Sequence, residues 1–369
     1  MVAVISCSHF PDDERIYHRE ISALLEKNYV IKYFTLSDQK TNLSQPGIDH
    51  KNYDLSKVTS DKYLECVEKD LIKEPPKVVH IHEPELFPVA IKMKKLFNTK
   101  IVYDVHEDYI SMIDTFSRLT RPLKNIKIKY WKYKEKQFLK YVDEIFIASP
   151  TIVNSDFVSQ GFNPILLENF PLKKFIEKVD FNSKIKNSII YHGNLGPERG
   201  ISDLIKAISI VVSEIPNANL FIYGSYRISS YKDELMQLIK SLELKKNITI
   251  NDHIEHKDIW GYLRKYEVGV IPFRNNSLTS INTPTKLFEY MACGCKIVSA
   301  SLKPVLRYDI KGVDFFNAGD VNGLAKSIIT SLKSKKLDSL NYNQNKILNT
   351  YCWELSKSKI TDVYEKIIK

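Results

Sequence analysis

The segment PFRNNSLTSINTPTKLFEYMACGCKIVSA, residues 272–300, has the strongest chemical pattern in this sequence. It reads as a strand end, a polar loop, a helix and a second strand. Pro284 is typical of a first helical turn, and Gly294 of a helix end before a strand. Glu289 lies inside the predicted helix. An isolated glutamate at such a position is usually solvated, so its role depends on the residues around it.

A second segment, SIIYHGNLGPERGISDLIKAI at 188–208, places a glycine-bearing loop between a buried strand and a helix that opens near Gly200. Free N–H groups at a helix N-terminus favour a diphosphate. Arg199 adds a permanent charge with a planar donor fork, suited to phosphate oxygens that gain charge as a leaving group departs. Because glycine turns are also common structural features, the segment fits either a phosphate-binding loop or an ordinary turn.

Two further segments, VVHIHEPELFP at 78–88 and IVYDVHEDY at 101–109, carry histidines and acids where predicted strands end. His80 and His82 share one strand face. Together with nearby side chains they offer the residue types of a metal cluster; these side chains are Glu83, Asp104, His106 and Glu107. A single-strand His-x-His without matched carboxylate spacing is weak support for such a cluster. We therefore predict no metal site and expect His80 to be buried and hydrogen-bonded.

Short apolar runs alternate with longer amphipathic runs, which is typical of βαβ units and parallel sheets. The first half contains predicted strands at 2–6, 30–35, 77–82, 99–105 and 143–149. After a polar, lysine-rich interruption near Leu167, further strands are predicted at 188–193, 219–224, 247–250, 267–273 and 295–300. We predict two doubly wound α/β domains, 1–172 and 173–350, and a C-terminal helix at 351–369 that packs on either domain. Ligands of such sheets bind beyond the carboxyl ends of the strands, so two facing domains are expected to form one cleft.

The chain of 369 residues has a formal net charge of +10, which indicates an anionic partner but does not choose its class. The most basic stretch is 118–140, with nine Lys or Arg, one acid and interleaved aromatic residues. It fits either a solvated helix face or a surface for anionic membranes. No apolar run approaches the ~20 residues of a spanning helix, and five scattered cysteines indicate reduced thiols. We therefore expect a cytoplasmic protein.

Taken in order, these segments resemble glycosyltransferase family 4, whose members have the two-domain GT-B fold. The residues from Pro284 to Gly294 match the family pattern Pro-x-Lys-x-x-Glu-Tyr-Met-Ala-x-Gly. The loop from Gly193 to Gly200 is similar to the family's glycine loop, with Asn194 in place of an arginine. A second acid of the family pattern corresponds to Ile281 here. The opening SCSHFPDDERIYHREISALLEKNY, residues 6–29, also resembles the family.

The resemblance implies that Glu289 holds the ribose hydroxyls of a donor nucleotide, that Arg199 stabilises the leaving diphosphate, and that His106 reaches the reacting centre. It implies further donor contacts in the glycine loop and before the helix, from Gly193, Asn194, Gly200, Asn282, Thr283, Pro284, Lys286 and Leu287. The expected acceptor-side residues are His9, Asp13, Arg15, His82 and Glu107. The donor is expected to be a UDP- or GDP-linked sugar, with no cofactor or metal required.

The implied reaction moves a sugar from a nucleotide-diphosphate sugar to a hydroxyl of a glycan or lipid-linked glycan, with retention of anomeric configuration. Such an enzyme is expected in bacterial surface polysaccharide or glycolipid assembly, peripherally at the inner face of the cell membrane through residues 118–140. One alternative is a nucleotide-sugar 2-epimerase of the same fold. Another is a non-catalytic sugar-binding or nucleic-acid-binding protein. Because no RNA or DNA motif is recognised, we expect no nucleic-acid partner.

Overall fold

The computed structural model describes residues 1–39, 41, 43–152 and 155–368. The chain forms two compact units: unit 1 is Met1–Asn169 with Trp353–Lys369, and unit 2 is Phe170–Cys352. The polypeptide therefore leaves unit 1 and returns to it at the C-terminal end. Lys369, which ends the predicted C-terminal helix, lies outside the described residues.

The strands of the described residues are mostly apolar in the middle of each sheet and more polar at the edges. They are β1 Val2–Ile5, β2 Ile31–Leu36, β3 Ile48–Tyr53, β4 Val78–Ile81, β5 Lys100–Val105, β6 Glu144–Ile147, β7 Ile165–Leu166, β8 Ile185–His192, β9 Asn219–Tyr223, β10 Ile248–Asn251, β11 Tyr266–Ile271, β12 Lys296–Ala300 and β13 Asp314–Phe316.

The α-helices of the described residues alternate with these strands over most of the chain. They are α1 Ser22–Glu26, α2 Ser60–Lys73, α3 Phe87–Phe97, α4 Tyr109–Phe116, α5 Arg121–Leu139, α6 Ser155–Ser159, α7 Ile201–Glu214, α8 Ser229–Ser241, α9 His256–Leu263, α10 Lys286–Ala292, α11 Lys303–Leu306, α12 Val321–Lys333, α13 Leu337–Thr350 and α14 Lys357–Ile368. A π-helical turn at Ile16–Ile21 leads into α1. None of the helices in the described ranges has the length and apolar content needed to span a lipid bilayer.

Unit 1 contains a parallel sheet with the strand order β3-β2-β1-β4-β5-β6-β7 among the described residues. Strand β1 pairs with β2 on one side and with β4 on the other, so the chain order reverses between β1 and β4. Every residue of β1 and β4 is buried, because helices cover both faces of a parallel sheet. The reversal opens a crevice at the carboxyl ends of these two strands, where ligands of such folds bind.

Unit 2 repeats the arrangement with the strand order β10-β9-β8-β11-β12-β13, and its chain order reverses between β8 and β11. Helix α7 buries Ile201, Leu204, Ile205 and Ile208, the spacing of one apolar helix face. Helix α10 packs closely on β11: a Cβ on Gly269 would lie 2.4 Å from the Tyr290 ring. This close approach fixes α10, and with it Glu289, against the middle of the sheet.

The prediction of two doubly wound α/β domains is confirmed. All ten predicted strands form, with ends within a few residues of the predicted ones. Three further strands, β3, β7 and β13, were not predicted, and each is an outermost strand of its sheet. The units separate between residues 169 and 170, whereas the sequence pattern placed the boundary between 172 and 173.

Candidate functional site

The loop between β8 and α7 is shaped by its glycines in unit 2. Gly200 precedes the first residue of α7 with a φ of +70°, and a Cβ there would lie 1.8 Å from the Pro272 carbonyl oxygen. Only glycine combines this left-handed backbone with such a close approach. The N-terminus of α7 is therefore held against the end of β11, and the N–H of its second residue, Ser202, donates to Tyr231 Oη at 3.3 Å.

Two cations lie beside this loop. The Arg199 guanidinium lies 4.7 Å from the centre of the Phe273 ring, and Lys286 Nζ lies 5.6 Å from the same ring. Lys286 Nζ also lies 5.4 Å from the Tyr191 ring centre. Burial and the neighbouring Arg199 charge lower the pKa of Lys286 to about 8, although Glu289 opposes them. An anion bound between the two cations would offset their repulsion, so the pair suits a diphosphate.

Glu289 is 5% exposed and lies between two histidines. Its Oε2 atom lies 2.9 Å from His192 Nε2, and its Oε1 atom lies 3.4 Å from His256 Nε2. Burial would raise the pKa of Glu289, but the two histidines outweigh burial and hold this pKa well below its usual range. Burial lowers the pKa of His192 despite the nearby carboxylate. Glu289 is thus an ionised, buried acceptor, not the solvated helix residue that an isolated glutamate usually is.

The other predicted donor residues lie in the same part of unit 2 but differ in what their side chains do. Asn194 is exposed, and its backbone carbonyl accepts a hydrogen bond from Tyr191 Oη at 2.8 Å. Asn282 Oδ1 is buried and has no hydrogen-bond partner among the described residues. Thr283 Oγ1 lies 3.1 Å from Tyr308 Oη. Leu287 is fully buried in the core, so its side chain contributes packing.

The helix that contains Glu289 begins two residues after Pro284, which was predicted to lie in its first turn. Helix α10 starts at Lys286, and Pro284 accepts a hydrogen bond from Leu287 N at 3.1 Å in the preceding turn. The helix ends before Gly294, whose φ is +61°, as predicted. Pro284 therefore opens the first turn without donating a backbone hydrogen bond.

In unit 1, the Glu83 side chain is hydrogen-bonded to the loop that follows β1. Its carboxylate accepts hydrogen bonds from Ser6 Oγ at 2.8 Å, Cys7 N at 3.1 Å, and Ser8 N and Oγ at 3.1 and 2.7 Å. His9 Nδ1 lies 2.7 Å from the same carboxylate. Burial would raise the pKa of Glu83, but these partners, His9 first, lower it to about 2. Burial would lower the pKa of His9, but Glu83 raises it to about 9. His9 is therefore an imidazolium at neutral pH.

A chain of hydrogen-bonded rings runs from His9 into the unit. His9 Nε2 lies 3.1 Å from His106 Nδ1, and His106 Nε2 lies 2.7 Å from Asp104 Oδ2. Burial lowers the pKa of His106 to about 4, although Asp104 opposes it. A protonated His9 donates to a neutral His106, which in turn donates to the Asp104 carboxylate. His82 Nδ1 lies 3.0 Å from His106 Nε2, and Arg15 binds Asp104 through Nε and Nη2 at 2.7 and 2.6 Å.

Three of the side chains considered as a metal cluster, His80, His82 and Asp104, meet in space together with Glu20, which was not considered. Among the described residues, Glu20, His80, His82 and Asp104 bring potential ligand atoms within 4.8 Å of one another. Arg15 already supplies a cation there, with its Nε 3.1 Å from Glu20 Oε1. Burial and Asp104 raise the pKa of Glu20 well above its usual value, although Arg15 opposes them. The role of Arg15 in this cluster is to balance its charge.

His80 is fully buried, and its Nδ1 lies 2.8 Å from Tyr364 Oη of α14. The prediction of a buried, hydrogen-bonded His80 is thus confirmed.

The predicted acceptor-side residues fall into two groups. His9, Arg15 and His82 form one group, connected to one another through Asp104 and His106, the latter predicted at the reacting centre. Asp13 Oδ1 accepts from Arg15 N at 2.8 Å and Ile16 N at 2.9 Å and so begins the π-helical turn. Glu107 is exposed, one position beyond His106.

Sequence reasoning missed the partners that set the charges in both units. They are Glu83 for His9 in unit 1, and His192 and His256 for the Glu289 carboxylate in unit 2. Glu83 and His192 do stand directly after or at the end of predicted strands. Their position at the ligand edge of a sheet was the available signal.

Comparison with known proteins identifies the family of unit 2 and the fold of the chain. The family described as glycosyl transferases group 1 matches residues 173–347. Sucrose-phosphate synthase from Thermosynechococcus elongatus is similar over 99% of this chain and 98% of its own, with a TM-score of 0.77 and 16% identity. Anabaena HepE in complex with UDP and glucose is similar over 99% of both chains, with a TM-score of 0.76 and 14% identity.

The E. coli trehalose-6-phosphate structure bound with UDP-2-fluoro glucose is similar over 100% of this chain and 98% of its own, with a TM-score of 0.71 and 12% identity. Comparison with curated protein sequences finds no match. The two parallel-sheet units, the family match and the shared fold lead to one conclusion. The chain is a glycosyltransferase with the GT-B fold, and its residues 173–347 match the glycosyl transferases group 1 family.

Proposed function

We propose that this glycosyltransferase is a retaining, family 4 type enzyme that transfers a sugar from a UDP- or GDP-linked donor held by unit 2. One observation carries the proposal. Arg199 and Lys286 lie beside the same aromatic ring next to the loop that leads into α7, and the ionised carboxylate of Glu289 lies on α10, the helix that begins at Lys286. A nucleotide-diphosphate sugar needs both features, positive charge for its phosphates and an acceptor for its ribose hydroxyls.

Glu289 is proposed to accept hydrogen bonds from the two ribose hydroxyls of the donor. Its low pKa keeps it an acceptor at any pH near neutrality, and His192 and His256 hold its orientation. HepE and the E. coli structure, which share the fold, contain UDP and UDP-2-fluoro glucose respectively. These ligands support a uridine donor as the first to test.

Arg199 and Lys286 are proposed to stabilise the diphosphate as the glycosidic bond breaks. Negative charge then develops on the leaving phosphate oxygens, and preorganised cations in a largely buried site interact most strongly with it. A donor phosphate oxygen takes the proton of the acceptor hydroxyl during attack on the same face of the sugar, which retains the anomeric configuration. The proposal gives no metal a role, because these cations and the α7 N-terminus provide the positive charge.

The acceptor is proposed to bind unit 1 beside His9 and His106, with the hydroxyl of a glycan or lipid-linked glycan as its reacting group. These two rings are the more exposed members of the hydrogen-bonded chain, with His9 more exposed than His106. We propose that the product enters bacterial surface polysaccharide or glycolipid, and that the enzyme acts in the cytoplasm at the inner face of the membrane.

The donor assignment is tested by calorimetric binding of UDP and GDP, and of 2′,3′-dideoxy-UDP, which lacks both ribose hydroxyls. Arg199→Ala should weaken UDP binding about 10- to 100-fold, the effect of losing a charge-assisted phosphate contact. Glu289→Ala should bind UDP and the dideoxy analogue equally, whereas the wild type should prefer UDP. Lys206→Ala and Glu234→Ala, on exposed parts of α7 and α8, are the matched controls.

A Glu289→Ala variant that still prefers UDP would contradict the ribose assignment. Turnover of the donor is then followed with and without added acceptor. Epimerisation of the donor sugar in the absence of acceptor would favour the 2-epimerase and overturn the transferase reaction. Transfer that requires the acceptor supports the proposal.

A further inference from the structure

Helix α5 carries a row of exposed apolar side chains that the fold of unit 1 does not use. Leu123, Ile126, Tyr130 and Tyr133 are 52–63% exposed. They are spaced three and four residues apart, so at about 100° per residue they lie within an arc of about 80° on one side of the helix. We call these four residues the α5 stripe. Large apolar side chains clustered in this way are uncommon on a surface that only meets water.

The opposite side of α5 holds the helix on unit 1. Trp131 packs edge-on against Tyr109 of α4 with ring centres 4.6 Å apart, and Phe138 stacks on Phe87 of α3 at 4.8 Å. Leu139 is fully buried. Trp131 is therefore engaged in helix packing and does not belong to the outward side of α5. The outward-facing aromatic residues are Tyr130 and Tyr133 instead.

Lysines border the α5 stripe on both sides. By the same helical geometry, Lys127 and Lys134 lie along one border, and Lys129 and Lys136 lie along the other. Lys134 Nζ lies 5.5 Å from the centre of the Tyr130 ring. In the part of the chain that the structure describes, Lys127, Lys129 and Lys136 have no ion-pair partner. The surface therefore combines an apolar centre with cationic borders.

We propose that the α5 stripe docks on an anionic phospholipid bilayer, with its leucine, isoleucine and tyrosines at the level of the headgroups and its lysines against lipid phosphates. The arrangement is that of a helix lying in the plane of an interface. Docking of the α5 stripe would bring the enzyme to a lipid-linked acceptor. This biological role of the docking rests on the proposed function. The binding itself requires neither donor nor acceptor.

Two other occupants fit the α5 stripe less well. A nucleic acid would use the lysines but leave four large apolar side chains in water. A second copy of the chain, pairing stripe to stripe, would cover the apolar residues but bring the lysine borders of both copies together, and like charges repel. A bilayer containing anionic lipid satisfies both the apolar centre and the charged borders.

The test is flotation of the full chain with vesicles of phosphatidylcholine alone or of phosphatidylcholine and phosphatidylglycerol in equal parts. The wild type should float with the anionic vesicles and stay behind with the neutral ones. Leu123→Gln/Ile126→Gln and Lys127→Gln/Lys129→Gln should each lower the partition coefficient roughly 10-fold or more. Leu96→Gln in α3 and Lys69→Gln/Lys73→Gln in α2 are matched exposed controls and should bind like the wild type.

Calorimetric UDP binding, measured on every variant, should be unchanged, which separates failure of docking from failure of the donor site. Equal recovery with neutral and anionic vesicles would overturn the proposal. So would a dimer in light scattering that Leu123→Gln/Ile126→Gln dissociates, because the stripe would then be an interface between copies. Salt-sensitive binding of an RNA oligonucleotide that displaces the vesicles would also overturn it.

Discussion

Among single side chains, Glu83 sets the charge state of the site in unit 1. It accepts hydrogen bonds from three consecutive residues after β1 and pairs with His9. Because His9 is then charged, it donates to His106 Nδ1 and leaves the His106 proton on Nε2, facing Asp104. Through His9, Glu83 thus selects the tautomer of His106, the residue that we place at the reacting centre.

Glu83→Gln should return His9 to an ordinary imidazole. The His9 pKa, about 9 in the wild type, should fall towards 6.5, because burial is then opposed only by the weaker effects of Asp13 and Asp104. Histidine ring protons followed by NMR through a pH titration measure this change. The charged pair stabilises the fold fully between about pH 4.5, the ordinary pKa of Glu83, and pH 6.5, the ordinary pKa of His9, and this contribution is lost as the pH rises through about 9. The stability difference between wild type and variant should therefore shrink over that window.

Glu65→Gln is the control for this titration, because Glu65 lies on the exposed side of α2. It should leave the His9 titration unchanged. A wild-type His9 that titrates near 6.5, or a Glu83→Gln variant that keeps a raised His9 pKa, would show that Glu83 does not hold the charge.

The individual side chains also show where prediction from sequence stops. Glu289 and Arg199 were predicted as site residues because each stands in a local pattern of strand, loop and helix. Glu83 was considered only as a candidate metal ligand, because its partner Ser6 lies 77 positions away and nothing local indicates that pairing. The charge of a residue depends on contacts formed by the whole fold, which one-dimensional spacing does not contain.

Among the helices and strands, the start of α7 requires glycine at position 200. Gly200→Ala would force a Cβ to within 1.8 Å of the Pro272 carbonyl and hold alanine at a φ of +70°. We expect a loss of about 2–4 kcal/mol in the free energy of unfolding, from backbone strain and the clash together. The displaced helix end should also weaken UDP binding. Chemical denaturation and calorimetry measure the two effects.

Gly261→Ala is the control, and it should change the free energy of unfolding in the opposite direction. Gly261 lies within α9, and a Cβ there would meet nothing within 4 Å. The substitution should stabilise the protein by about 0.5–1 kcal/mol through helix propensity and leave UDP binding unchanged. Equal effects of the two substitutions would mean that the geometry at Gly200 is not what limits the helix start.

The elements were predictable from sequence wherever both faces of a strand are buried. β1 and β12 are buried throughout and were located directly. β3, with the sequence IDHKNY, was missed because an outermost strand has one paired neighbour and partly exposed faces. Its strand conformation follows from pairing with β2 and not from its own pattern.

At the scale of the whole chain, the C-terminal segment is part of unit 1, although unit 2 precedes it in the sequence. The sequence predicted its helix but not the domain on which it packs, because an amphipathic pattern shows that a face is buried and not against what. In the structure α14 belongs to unit 1, where Ile360, Val363 and Tyr364 are buried. Unit 1 is therefore completed only by residues that follow the whole of unit 2.

A chain that ends at Cys352 should consequently lose unit 1 and keep unit 2. Removing Ile360, Val363 and Tyr364 costs roughly 5–8 kcal/mol of apolar burial, which is comparable to the stability of an entire domain. Amide hydrogen exchange should become fast in β1 and β4 and stay slow in β8 and β11, with UDP binding retained. Tyr364→Phe, which removes only the hydroxyl 2.8 Å from His80 Nδ1, should cost about 1–2 kcal/mol and leave both units folded. Slow exchange throughout the truncated chain would instead show that unit 1 is stable without α14.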